Sequence, residues 1–168
     1  MSIPGFEALM GSAQHRALHL EMRDTYAGTD ASFADWLAGR PFDDSDLDAW
    51  WHSIIGPLVE RGVDVRRARI VSEPVTDYIR YEYEITRAAS LAAGERVRWL
   101  PRQQASDLRL PGNDFWLVDD QALFNFFSGD GKWTDSEIVT DPVIVTFCAS
   151  SFESVWGRAI DHEDYRPR

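Results

Sequence analysis

The stretch Val63-Asp64-Val65-Arg66-Arg67-Ala68-Arg69-Ile70 decides the fold class. Its apolar side chains at 63, 65, 68 and 70 predict a strand that leads into Glu73-Pro74. Thr76 or Asp77 can then cap a long helix that stops at Gly94. Arg96-Val97-Arg98-Trp99-Leu100 alternates and predicts a second strand. A strand, a helix and a strand in this order form a right-handed parallel crossover, which places the chain in the α/β class.

The same unit carries a charge opposite to that of the chain. Eight of the 16 arginines fall in it: Arg66, Arg67, Arg69, Arg80, Arg87, Arg96, Arg98 and Arg102. Five acids accompany them, Glu73, Asp77, Glu82, Glu84 and Glu95, so the block is basic inside a chain of net charge −11. Guanidiniums held in a sheet need acidic partners or a negative ligand, because an unpaired buried charge is costly. On the second strand Arg96 and Arg98 share one side and Val97 and Trp99 the other. On the helix, Asp77, Arg80, Glu84 and Arg87 share one face, where Arg80–Glu84 and Glu84–Arg87 can pair. Asp114, Asp119 and Asp120 join Glu73 as candidate partners at strand ends. Ligands of α/β sheets sit at the carboxyl ends of strands. The candidate ligand-binding residues are therefore Glu73, Arg80, Arg96, Arg98, Arg102, Asp114 and Asp119.

Upstream, the pattern is helical. Phe6, Leu9, Met10, Ala13, Ala17 and Leu20 follow helical spacing and predict an amphipathic helix to about Asp24. Ser32 can cap a short helix carrying Phe33, Trp36 and Leu37. Asp44 or Ser45 can cap a third, striped by Leu47, Trp50, Trp51, Ile54 and Ile55, which Gly56-Pro57 kinks or splits. Trp36, Trp50 and Trp51 are candidates for a protein-binding surface, since seven Trp is many for 168 residues.

Downstream, Phe115 to Val118 predicts a short strand, and Gln121 to Phe127 a strand or helical turn. Ser128-Gly129-Asp130-Gly131 is a turn, and Val143 to Cys148 a buried strand. Ser150-Ser151-Phe152-Glu153 resembles a capping box for a last helix. The polar tail from His162 is expected to fray.

The totals exclude several classes. A hydrophobic fraction of 44% and an aromatic fraction of 12% describe a globular chain. The acidic balance disfavours nucleic acid and anionic membrane surfaces. No apolar run approaches the roughly 18 residues of a spanning helix, and no signal sequence opens the chain. The lone Cys148 forbids an internal disulfide, which points to the cytoplasm. That thiol lies in an apolar run and reads as inert. No Gly-x-Ser-x-Gly and no phosphate-binding Gly-rich loop occurs. His15 and His19 have the i, i+4 spacing of a metal pair, but Arg16 stands where a metalloprotease has Glu, and they read as a surface pair. Asp130-Gly131-Lys132, with Asp119 and Asp120 upstream, matches the acid-x-Lys half-motif of Mg²⁺-dependent nucleases on a turn rather than the strand it needs.

Four blocks carry a resemblance: His19-Leu-Glu-Met-Arg-Asp-Thr-Tyr26, Arg69 to Arg80, Ala93 to Arg102, and Asp114-Phe-Trp-Leu-Val-Asp119. They resemble an actinobacterial family of domains of unknown function, often encoded beside Xre-type helix-turn-helix regulators. The resemblance brings no assigned activity. It implies a cytoplasmic accessory protein, with a DNA-binding regulator as candidate protein partner and no DNA binding of its own. The element order is also similar to one half of a phospholipase D-like domain. Active members carry His-x-Lys seven and five residues before the Asp. Counting back from Asp119, those places hold Gly112 and Asp114. The resemblance thus implies the fold without that chemistry.

The expectation is a single domain over 1–168. A helical part (1–61) precedes an α/β core (62–161) and a tail (162–168). Its mixed sheet has four to five strands, a β-α-β crossover and flanking helices. The expected function is a non-enzymatic regulatory or protein-interaction module without cofactor or metal. An enzyme or small-anion binder with an Arg/Asp/Glu cleft is the alternative, and a Mg²⁺-dependent nuclease a lesser one.

Overall fold

A computed structural model describes residues 5–26 and 31–168. Its centre is a seven-stranded mixed sheet of order β6-β5-β4-β1-β2-β3-β7, wider than the four to five strands expected. The strands are β1 (Arg16–Glu21), β2 (Asp64–Val71), β3 (Arg96–Pro101), β4 (Phe115–Val118), β5 (Gln121–Phe127), β6 (Trp133–Val139) and β7 (Ile160–Asp161). The first three are parallel neighbours, and the expected crossover unit joins β2 to β3. All other pairings are antiparallel.

Helices α1 (Phe6–Ser12), α2 (Ala31–Leu37), α3 (Ser45–Glu60) and α4 (Asp77–Thr86) cover one face. Helix α5 (Pro142–Arg158) covers the other, packing on Leu18, Leu20, Ala68, Ile70 and Leu100. The alternation of β2 makes both packings possible. Val65, Arg67, Arg69 and Val71 face α1–α4, while Ala68 and Ile70 face α5. Thr76 caps α4 as expected, its hydroxyl accepting from Ile79 N at 3.1 Å. The helix runs on as a π-turn over Arg87–Leu91 and stops at Gly94, whose φ is 92°. A Cβ there would meet Val59 at 3.0 Å, so glycine serves both the turn and the close approach of α3.

Four expectations are corrected. The first helix ends at Ser12, and the chain re-enters as β1, which is buried on both faces. A central parallel strand reads as a continuous apolar run, which Ala17 to Leu20 shares with a helix. Val143 to Cys148 is helical and Ser150–Glu153 lies mid-helix, because Asp141 caps α5 at Val143 N (2.8 Å) with Pro142 at the first turn. Of the kink or split expected at Gly56-Pro57, the split does not occur, and α3 continues through Pro57. The tail does not fray: His162 and Tyr165 are buried, Trp99 Nε1 donates to His162 Nδ1 at 3.1 Å, and Tyr165 stacks on Trp99.

The edge between β4 and β5 is fixed by Asp119, at φ 49°. Its carboxylate accepts from the backbone N–H of Gln14, His15 and Arg16 at 2.8, 2.9 and 3.0 Å, docking the entry of β1. Partial burial pushes this carboxyl up, but those hydrogen bonds outweigh it and hold it below the usual range. We predict that Asp119→Ala lowers the unfolding free energy by about 2–3 kcal/mol in urea denaturation. Asp119→Asn, which tolerates positive φ and keeps one acceptor, loses less.

Candidate functional site

The chain winds from β1 to β2 and β3 on one side of the sheet, then returns to β4 on the other. Strand direction and order both change between β1 and β4, the kind of position where α/β sheets open a crevice. A cavity of about 240 Å³ lies there, at the carboxyl end of the parallel strands on the face covered by α4. That is just below the usual range for ligand pockets, roughly 300–1,000 Å³.

Its floor is ionic. His19 and Glu21 of β1 lie beside Arg67 and Arg69 of β2 in register. Glu21 receives Arg67 Nη1 at 2.7 Å and Arg69 Nε at 2.8 Å. Arg67 Nε also reaches Glu95 at 2.8 Å, and Arg69 Nη1 reaches Glu82 at 2.7 Å. Glu82 accepts further from Tyr78 Oη, and Glu95 from Trp51 Nε1. Arg69 lies over the Trp99 ring and Arg67 over Trp51. Burial opposes the charge on Arg69, but Glu21 and Glu82 outweigh it and raise its pKa. His19 stacks on Trp116 with ring centroids 4.2 Å apart. Burial, then Arg67 and Arg69, hold it well below its ordinary pKa, so it is neutral at physiological pH.

The wall is Asp114, Tyr26 and Asn125. Asp114 accepts from Met22 N at 3.0 Å and from the Tyr26 hydroxyl. Burial first, then Glu21, push Asp114 up to about 6 against the hydrogen bonds. Burial, Glu21 and Asp114 push Tyr26 well above its usual range, so the proton of this pair stays on the phenol. Asn125 is 6% exposed, and its Oδ1 is buried without a hydrogen-bond partner among the described residues. Trp133 Nε1 is in the same condition. The mouth lies where Phe127 and Trp133 pair across the bulge of β5 and β6 and stay half-exposed.

Of the residues expected to bind a ligand, Asp114 lines this cavity. Glu73 accepts from Tyr165 Oη at 3.0 Å, at a separate cleft formed with the C-terminal segment. Arg96 pairs with Asp64, and Arg98 with Asp161. Arg102 donates to the carbonyls of Met22 and Ile70, beyond the strand ends. Arg80 is exposed on α4, and Asp119 is at the opposite end of β1. The Arg/Asp/Glu cleft expected for an enzyme is not assembled from these residues. The helix pairings change too: Arg87 meets Glu163, and Glu84 accepts from Trp36 Nε1. Trp51 is in the core, so it cannot offer a partner surface; Trp36 and Trp50 are half-buried.

His15 and His19 are not on one helix, since His15 precedes β1 and His19 lies within it. Among the described residues no group of three or more His, Cys, Asp or Glu is placed to hold a metal ion. Lys132 pairs with Asp130 on the exposed turn after β5. Cys148 is buried within α5, and burial pushes its thiol up to about 11. Sequence reasoning missed His19, Glu21, Arg67, Arg69, Asn125 and Trp133. The available signal was a pair of period-two polar patterns, His-x-Glu and Arg-x-Arg, inside two otherwise buried strands.

A family model described as a domain of unknown function (DUF6879) matches residues 4–167. No curated protein matches the chain. Among solved structures, the phospholipase D family member Nuc from Salmonella typhimurium is similar at a TM-score of 0.53 and 13% identity, over 95% of this chain and 88% of that one. This likeness shows a shared fold. TrmBL2, an archaeal chromatin protein, gives a TM-score of 0.48 and 13% identity, covering 91% of this chain. The chain spans 47% of its length.

Two predictions follow from the wall. Asp114 has a folded pKa of about 6 against 3.8 unfolded, so its contribution to stability is fully present below pH 3.8 and lost as pH rises through 6. Relative to the parent, Asp114→Asn should gain about 1–3 kcal/mol in unfolding free energy between pH 4 and pH 7.5, measured by urea titration. Asn125→Leu, which removes an unpaired buried amide, should stabilise the unliganded protein by about 1 kcal/mol in the same assay.

Proposed function

We propose, on the premise that the chain belongs to the DUF6879 family of domains of unknown function, that it is a non-enzymatic ligand-binding regulatory module. The observation that carries this is the cavity at the strand-order switch, whose floor charges are paired while Asn125 Oδ1 and Trp133 Nε1, with His19 Nδ1 and Arg69 Nε on the floor, make no hydrogen bond to a described residue. Catalysis at such a place would call for a nucleophile, a poised base or a charge clamp. Here Arg67 and Arg69 are held by Glu21, Glu82 and Glu95, and His19 Nδ1 lies 3.3 Å from Glu21, a carboxylate already shared by both guanidiniums, without a hydrogen bond to a described residue. Four carboxylates (Glu21, Glu82, Glu95 and Asp114) surround two guanidiniums, so the region is net negative and disfavours the anionic ligand expected from the arginine content.

Binding would be read out through Tyr26, which joins Asp114 and meets Tyr78 of α4, itself against Phe33 of α2. A protein partner, with a DNA-binding regulator as the candidate, then senses the occupied state. The net charge of −11 supports a protein rather than a nucleic-acid partner.

The test is a thermal-shift and tryptophan-fluorescence screen against small polar metabolites. A ligand at 100 times its Kd adds about 2.7 kcal/mol, a rise of roughly 5–10 °C for a domain of this size. The response should vanish in Trp133→Ala while its far-UV circular dichroism is kept. A screen in which no compound shifts the parent, or in which the shift survives in the variant, counts against the module.

A further inference from the structure

Asn125 is a buried group on the cavity that the fold leaves without a hydrogen bond at its oxygen. It sits on β5 with Oδ1 buried and unpartnered among the described residues. A buried amide without partners is costly, and native proteins retain such groups where a ligand completes them. Trp133 repeats the pattern across the bulge: its Nε1–H is buried, unpartnered and lines the same cavity. The two side chains come from diagonal positions of a paired strand, roughly 7–8 Å apart along the ladder, a span that one small ligand can bridge.

The chemistry of these groups is specific. A carboxamide accepts one N–H and donates one N–H in the same plane, so its complement is an N–H donor beside a ring nitrogen or carbonyl. Indole N–H adds a donor aimed at a further acceptor. The surfaces around them are flat π-faces, with Tyr26 and Phe127 edge-to-face at 5.3 Å and Trp133 opposite Phe127 on the ladder. Such walls select planar aromatic ligands, because stacking is independent of the base's hydrogen-bond pattern. The carboxylates Glu21 and Glu82 at the floor and Asp114 on the wall outnumber Arg67 and Arg69 and disfavour phosphate.

We infer that the cavity takes an uncharged, planar nitrogen heterocycle of nucleobase type, a free base or nucleoside, paired edge-on with Asn125 and capped by Trp133. This rests on the reading of the cavity as a ligand site and names the class of its ligand. The small volume admits a base or nucleoside and not a dinucleotide.

The experiment is titration calorimetry on the full chain with adenosine, cytidine, guanosine and uridine, the corresponding free bases, and adenosine 5′-monophosphate. At least one nucleoside or base should bind. Asn125→Leu should weaken that binding tenfold or more, and Trp133→Phe, which keeps the ring and loses the N–H, severalfold. The monophosphate should bind more weakly than adenosine. Unfolding midpoints of both variants confirm that they are folded. Failure of every base and nucleoside, undiminished binding in Asn125→Leu, or preference for the monophosphate overturns the inference. If another compound in the broader screen binds in a Trp133-dependent way while these fail, the ligand class falls and the module reading stands. If nothing in either set binds, both fall.

Discussion

The structure depends on two arginines that the sheet does not expose. Arg67 and Arg69 stand on the helix-facing side of β2, with Arg69 5% exposed. Each would carry a desolvation penalty of several kcal/mol if left alone. Their partners come from three places: Glu21 from β1, Glu82 from α4 and Glu95 from the approach to β3. Glu21 is the shared carboxylate, bridging both guanidiniums at 2.7 and 2.8 Å. A shared partner fixes the register of β1 against β2, because a one-residue slip of β1 would turn Glu21 onto the α5 side and leave both bases without it. A buried ionic cluster of this kind contributes less to net stability than an apolar one of equal volume. Its contribution here is to register and to the angle at which α4 lies on the sheet.

The same cluster sets the electrostatics of the cavity above it. Guanidiniums whose charge is answered by Glu21, Glu82 and Glu95 offer little net attraction to an anion, yet they still act on neighbours. Burial first, and then that charge, hold His19 neutral against Trp116. Burial also acts first on Asp114, with Glu21 adding to it, and its carboxyl rises to about 6. Burial thus drives both groups toward neutrality, and neighbouring charges, cationic at His19 and anionic at Asp114, reinforce it at each. The cavity wall is less charged than its composition suggests, which suits a ligand recognised by hydrogen bonds and stacking.

The sequence carried the crossover clearly, since strand, cap, helix and strand followed one another from Val63 to Leu100 with period and stop signals in agreement. It also posed the choice between acidic partners and an anionic ligand for the arginines. It did not name the partners. Glu21 lay in a segment read as helix, because Arg-Ala-Leu-His-Leu-Glu is built from good helix formers and burial on both faces erases alternation. With β1 hidden, the register that brings Glu21 to Arg67 and Arg69 was hidden too. The β-branched run Val143–Thr146 misled in the opposite sense. The capping pair Asp141-Pro142 overrides its strand preference. The strand β6 escaped notice because an exposed edge strand need not be apolar, and Asp135 and Glu137 are suited to such an edge. Asn125 was beyond sequence reasoning, as its importance lies in a partner it lacks.

The fold shared with Nuc does not bring that protein's chemistry with it. The resemblance to phospholipase D-like domains marks three places by their spacing to Asp119, and this chain fills them in its own way. Gly112, in the place of the histidine, is exposed in the loop before β4 and has no side chain to act. Asp114, in the place of the lysine, puts a carboxyl where a cation would stand and ties it to Tyr26 and Met22 N. Asp119 itself turns away from the cavity and caps the entry of β1. Gly112 offers no nucleophile, Asp114 brings the opposite charge, and Asp119 spends its acid on the backbone. The crevice that the strand order creates holds, among the described residues, an amide oxygen and an indole N–H without hydrogen-bond partners, beside His19 Nδ1 and Arg69 Nε.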